Sequence, residues 1–269
     1  ADHDLSTATL APTQPNPDDC PMQLHLQTWP AIEHYLRDNR TVIMPIGSTE
    51  QHGPNGLLGT DAITAEAVAR GVGEATGTLV APVIAVGMAQ HHLAFPGSMA
   101  LRPGTLIAVI RDCVESLALH GFERFFFING HGGNVASTTA AFSEIYAAAS
   151  FGGGAGTRLR CTLRNWYETP GIAALSRELY GEQEGSHATP SEVALTWYLH
   201  PDRAMPMNLD PPVAPRGSFT DAADLRRNFP DGRIGSNPGL ATIEHGKRIY
   251  DAAVHDLSRE LRRWTCPSS

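Results

Sequence analysis

Thr41-Val-Ile-Met-Pro-Ile46, followed at once by Gly47-Ser-Thr-Glu50-Gln-His52-Gly-Pro54, is the stretch on which the fold turns. A short apolar run with β-branched residues, closed by a glycine, predicts a buried strand. Downstream, 61–76 places Ala65, Val68, Ala69 and Val72 on one helical face, and 78–86 (TLVAPVIAV) reads as a second strand, with Pro82 demanding a bulge or an edge. Leu106, Ile110, Cys113, Val114 and Leu117 recur at helical spacing, and Gly121 supplies a stop. A third strand is expected at 123–128, a small-residue helix at 135–149, a flexible link at 152–156 and a fourth strand at 159–163. Further helices are expected at 190–199 and 241–261. Strands alternating with helices predict an α/β protein with a mostly parallel central sheet covered by helices on both faces.

Composition narrows the function classes. The chain has 269 residues with 20 basic and 28 acidic side chains, so its formal net charge is 20 − 28 = −8. That balance argues against a nucleic-acid backbone or an anionic membrane as partner. Cys20, Cys113, Cys161 and Cys266 lie far apart with no CxxC pair, which speaks against a disulfide scaffold or a cysteine-rich zinc module. A reducing, cytoplasmic setting fits that usage. No apolar run is long enough to cross a bilayer. Residues 1–21 are rich in Pro, Asp and Thr and lack the basic and apolar regions of a signal peptide. The expected organisation is a disordered tail over 1–22, in which Met22 is an alternative start, and a single domain over 23–269.

The 12 histidines carry the chemical signal. In an open parallel sheet the reactive crevice lies outside the carboxyl ends of the strands. Three unusual segments fall there: the Glu50–His52 loop ending at Thr60-Asp61, the segment from Gly87 through His91-His92 to Phe95-Pro-Gly97, and Asn129-Gly-His131-Gly-Gly-Asn134. Glu50 and His52, two apart in an extended segment, share a face. Glu50, His52, Asp61 and His131 form a donor set of the kind Zn²⁺, Mn²⁺ or Fe²⁺ accepts. If Asp61 bridges, two ions about 3.5–4 Å apart become feasible. Other readings stand beside this one. Asp61 could N-cap the helix it opens, and NGHGGN could be only a tight turn or a backbone phosphate cradle, although the P-loop lysine and the GxGxxG pattern are absent.

Glu50-Gln-His-Gly-Pro54, Thr60-Asp61, Phe95-Pro-Gly97, Asn129–Asn134 and the segment from His187 to Glu192 together resemble the creatininase (creatinine amidohydrolase) family, from about Leu24 to the C-terminal helix. The resemblance implies a three-layer α/β/α fold, a divalent metal centre of one or two ions, hydrolysis of non-peptide amide bonds and a homo-oligomer, commonly a hexamer. It implies Glu50, His52, Asp61 and His131 as metal ligands, His187 as the catalytic histidine, and Glu192 as a further ligand or acid–base group. Thr189-Pro190-Ser191-Glu192 reads equally well as a helix-capping box, and one carboxylate could serve both ends. Creatinine-hydrolysing members carry an aromatic residue and a ligating Glu after NGH, where this chain has Gly132-Gly133. After EQHGP it has Asn55-Gly56-Leu57 in place of a His and then Leu-Pro. Both departures point to a member distinct from creatininase itself.

The expected reaction is metal-assisted hydrolysis of a C–N bond in a small amide, cyclic amide or formamide. His187 is the expected proton shuttle, and His91, His92 and Asn134 are candidate substrate-binding groups. Arg216, Arg226, Arg227 and Arg233 are candidates for a substrate carboxylate, against the commoner solvent-exposed role. The alternatives are a peptidase or deformylase in cofactor biosynthesis, a non-catalytic metal-binding protein and a nucleotide-binding α/β protein.

Overall fold

The computed structural model describes residues 22–152 and 157–266. The tail before Met22 and most of the 152–156 link lie outside them. Strands β1 (Thr41–Ile46), β2 (Leu79–Val80), β3 (Arg124–Asn129) and β4 (Arg160–Asn165) form one sheet in the order β2-β1-β3-β4, with every pairing parallel. Eight α-helices surround it among the described residues: α1 (Trp29–Asp38), α2 (Thr60–Thr76), α3 (Pro103–Leu119), α4 (Asn134–Phe151), α5 (Pro170–Leu179), α6 (Pro190–Leu199), α7 (Ala222–Asn228) and α8 (Ile243–Thr265).

The strands are apolar on both faces because both are covered. Ile43, Phe126 and Ile128 pack with Val68 and Val72 of α2, Leu195 of α6 and Leu257 of α8. Their sequence neighbours Val42, Met44, Phe125 and Phe127 point the other way, onto Leu106 and Ile110 of α3 and Phe142 of α4. The result is the three-layer α/β/α arrangement. None of the described helices is long and apolar enough to cross a membrane.

The second strand is far shorter than its apolar run. Only Leu79 and Val80 pair with β1, and a lone bridge joins Ile84 to Ile46. Pro82, with no N–H to donate, interrupts the ladder at the sheet edge. Helices α1, α5 and α7 lie in stretches for which no element is expected. α5 has a clear local cause: the Thr169 hydroxyl accepts from Ile172 N–H, and Pro170 occupies the first helical position. Chain order reverses direction between β1 and β3, so the crevice between their carboxyl ends is a topological switch point.

Because α8 closes one face of the sheet through residues such as Leu257, which is wholly buried, Leu257→Ala should cost about 2–5 kcal/mol of unfolding free energy. A denaturant midpoint unchanged from wild type would contradict this packing.

Candidate metal centre

The centre is assembled where β1 and β3 end abreast, Ile46 opposite Asn129. The loop after β1 returns directly into α2, whose first turn presses on the strand ends. A side chain at Gly130 would put its Cβ 2.2 Å from the Asp61 carbonyl oxygen, so this approach requires glycine. Asp61 is thereby lowered onto the crevice. It does not cap its helix: the N-cap is Gly59, with no side-chain capping bond. The NGHGGN turn is held by its own amides. Asn129 Oδ1 accepts from His131 N–H at 3.1 Å, and Asn129 Nδ2 donates to His131 O at 2.7 Å.

Six side chains from four segments converge. His131 Nδ1 is 3.2 Å from both Glu50 Oε1 and Asp61 Oδ2. His52 Nε2 is 3.0 Å from Asp61 Oδ1 and 3.9 Å from Glu192 Oε2. His187 Nδ1 lies 3.9 Å from Glu50 Oε1. Two of the three-donor groups able to hold an ion, Glu50–Asp61–His131 and His52–Asp61–Glu192, share Asp61, one carboxylate oxygen facing each side. The third is Glu50–His52–His187.

The donor chemistry fits a cation. His131 Nε2–H donates to Met88 O at 3.0 Å, and His52 Nδ1–H donates to Glu50 O at 3.1 Å. Each imidazole therefore turns its lone pair toward carboxylate oxygens, the arrangement of metal-ligating histidines with an outer partner. Glu50 Oε2 has no hydrogen-bond donor, and Glu50 Oε1 and Asp61 Oδ2 are faced only by imidazole nitrogens, although Glu50 is 0% exposed and Asp61 2%. Buried charge without a partner is costly. Without an ion, protons must supply the missing positive charge. Burial disfavours a charged His52, yet Asp61, Glu192 and Glu50 outweigh it and raise the imidazole to about 10. Burial likewise opposes charge on His131, and Glu50 and Asp61 lift it to about 9. Burial also pushes the Asp61 carboxyl up, but His52 and His131 hold it well below the usual carboxylate range.

Glu192 plays two parts at once. Its Oε1 accepts from Thr189 N–H at 2.5 Å while Thr189 Oγ1 accepts from Glu192 N–H at 3.2 Å, a complete capping box, and its Oε2 is the oxygen facing His52. A side chain at Gly133 would put its Cβ 2.3 Å from His131 Nε2 and 2.5 Å from Met88 O. A side chain there would have to displace the His131 ring and the Met88 carbonyl from where they stand, and the carboxylate facing His52 arrives from α6.

Four of the six converging side chains, Asp61, His131, His187 and Glu192, line a cavity of about 470 Å³ together with Tyr167 and Glu184, while Glu50 and His52 are not on its wall. His91, His92 and Asn134, expected to bind substrate, are not on that wall. Asn134 is wholly buried and its amide is spent, donating to Gly47 O and Asn129 Oδ1 and accepting from Met88 N–H. It ties three loops together. His92 lies beneath the centre, Nε2 3.1 Å from Glu50 Oε1, and His91 stacks on Phe219 with its other side tilted against His92, where burial lowers it to about 4. The four arginines are engaged elsewhere: Arg233 with Asp231 and the Pro211 and Pro212 carbonyls, Arg227 with Asp224, Arg216 with Glu182 O, and Arg226 over the Phe95 ring. None of them lines the cavity.

Sequence reasoning passes over Gln51, Tyr167 and Glu184. Gln51 Nε2 lies 2.8 Å from both His92 Nδ1 and His187 Nε2 and 3.0 Å from Gly232 O, and its backbone carbonyl lies 2.9 Å from His187 Nε2. Its place inside the Glu50–His52 motif was the available signal. Tyr167 follows the β4 end, with its hydroxyl 3.5 Å from where a Gly132 Cβ would stand.

A parallel α/β sheet with a shared-carboxylate donor cluster at its switch point defines a candidate metallohydrolase of the α/β class. The chain belongs to the creatininase family, whose model, described as creatinine amidohydrolase, matches residues 25–261. It is 32% identical over 250 residues to a mycofactocin precursor peptide peptidase of Mycobacterium ulcerans (strain Agy99), covering 88% of this chain and 87% of that protein. It is 33% identical over 255 residues to a creatinine amidohydrolase of Pseudomonas putida, covering 87% and 94%. A solved creatininase structure described as its Mn form superposes with a TM-score of 0.78 at 24% identity, over 92% of this chain and 99% of that one, which shows the shared fold.

The raised imidazoles set a pH dependence. Below about 9 both His52 and His131 hold a proton that an ion must displace. Zinc uptake by ion-free protein at pH 7 should therefore release about two protons, and affinity should climb with pH until both imidazoles are neutral. Calorimetry in buffers of different ionisation enthalpy measures the release; none would contradict the assignment of these nitrogens as donors.

Proposed function

We propose that this creatininase-family protein is a metal-dependent hydrolase that cleaves the C–N bond of a small amide, cyclic amide or formamide with water. The observation that carries the reading is Asp61, shared between two buried donor sets and lining a cavity of small-molecule size. Glu50, Asp61 and His131 would hold one divalent ion and His52, Asp61 and Glu192 a second, with zinc or manganese favoured by the mixed N/O donors and iron a third choice. When bound, such ions supply Lewis acidity that makes water nucleophilic near neutral pH.

The chain's own groups would manage the protons. Burial keeps the His187 imidazole well below its ordinary value, hence neutral; its Nε2 rests against Gln51, 2.8 Å from the side-chain Nε2 and 2.9 Å from the backbone O, and its Nδ1 faces the centre. His187 can take a proton from the attacking water and return it to the departing nitrogen as the C–N bond breaks. Glu192, raised by burial to about 7 while no ion is bound, would take the acid–base part instead of the ligand part if the centre held one ion. The single-domain reading over 23–269 is supported by cores on the two faces of one sheet, drawn from α2, α5, α6 and α8 on one side and α3 and α4 on the other. A reducing, cytoplasmic setting is supported by the free thiols of Cys113, Cys161 and Cys266. A peptide substrate is the second reading, favoured by the relatives named as precursor peptide peptidases.

Asp61→Ala should lose both ions by elemental analysis and with them all activity; full metal content in that variant would refute the bridging role. His187→Ala should keep its metal and lose about 10²–10⁴-fold in kcat, and unchanged turnover would remove it from the reaction. Assaying metal-loaded protein against formamides, cyclic amides and short peptides separates the two substrate readings.

A further inference from the structure

The carboxylate of Glu184 lies in the loop before α6, on the cavity wall but outside every donor group able to hold an ion. It accepts a hydrogen bond from the Ser191 hydroxyl, and the Thr189 hydroxyl and Ser191 N–H face it as well. Ser191 Oγ is in turn 3.1 Å from Thr189 Oγ1, the atom that accepts Glu192 N–H. In the Ser191 contact the hydroxyl is the donor and the carboxylate oxygen the acceptor. The Ser191 hydrogen is therefore committed to Glu184, Ser191 Oγ is free to accept from Thr189, and Thr189 Oγ1 keeps a lone pair for Glu192 N–H. The same box fixes Glu192 Oε1 on Thr189 N–H, which leaves Oε2 no direction but toward His52 and Asp61.

From this chain of contacts we infer that Glu184 is a positioning residue for the centre: through the Ser191 and Thr189 hydroxyls it holds the Glu192 carboxylate on the His52–Asp61–Glu192 set and so governs how tightly that set binds its ion. The Glu50–Asp61–His131 set meets this network only through the shared Asp61. The inference rests on the two-ion reading under Proposed function. It adds a division between the sets: one is built entirely from the strand-end loops and α2, while the other depends on the first turn of α6.

The test is a zinc titration of ion-free protein by calorimetry, with bound metal counted by elemental analysis, and it needs no substrate. Wild type should take up two ions. Glu184→Ala and Ser191→Ala should each weaken one of them by about 10–100-fold, the usual effect of removing an outer partner of a ligand, and leave the other within about threefold. Because Glu184 acts through Ser191, the double variant should be no weaker than either single one. Glu184→Gln, whose carbonyl still takes the Ser191 hydrogen, should stay close to wild type. Equal weakening of both sites, additive losses in the double variant, or no loss in the alanine variants overturns the inference while leaving two-ion binding intact. Uptake of one ion or none by wild type overturns the two-ion reading and this inference together. Should Glu184→Ala fail to fold, Ser191→Ala carries the comparison alone.

Discussion

The structure is organised around negative charge that has nowhere to go. Glu50 and Asp61 are sealed beneath the sheet's carboxyl edge, and the imidazoles beside them have already committed their N–H groups to the Met88 and Glu50 carbonyls. Carboxylate oxygens and nitrogen lone pairs therefore face one another across about three ångströms, an arrangement that only positive charge between them can stabilise. The strand-end glycines, the amides of Asn129 and Asn134 and the pressure of α2 against the strand ends all serve to hold this unfavourable meeting in place. A pocket merely tolerating these groups would have let one of them swing to solvent.

Much of this was legible in the residues, for identifiable reasons. β1, β3 and α6 could be read because continuous apolar runs and the Thr189-Pro190 start signal are local facts, insensitive to the rest of the chain. The convergence of Glu50, His52, Asp61 and His131 followed from topology: parallel strands must release their loops on one edge. β2 misled because its apolar run satisfies burial without satisfying the ladder, and Pro82 decides between them. α5 was as legible as α6, since Thr169-Pro170 repeats the same start.

The substrate-side expectations turn on a different principle. Asn134, His91 and His92 have the right chemistry, but a side chain's partner is a three-dimensional fact. Asn134 bonds to residues 47, 88 and 129, and no spacing rule could have shown that its amide was fully occupied. Gln51 and Glu184 were hidden for the complementary reason. Their contacts, to His187 and Gly232 in one case and to the α6 terminus in the other, span loops whose course is set by long-range packing.

Glu192 ends one helix turn and faces the centre with the same carboxylate. A residue with two such duties cannot drift: a change that relaxes the helix start also misaims the oxygen toward His52, and one that retunes that oxygen unseats the helix. Thermal resilience and reactivity are thus geared to each other at this position, and neither can be adjusted by substitution here without moving its counterpart.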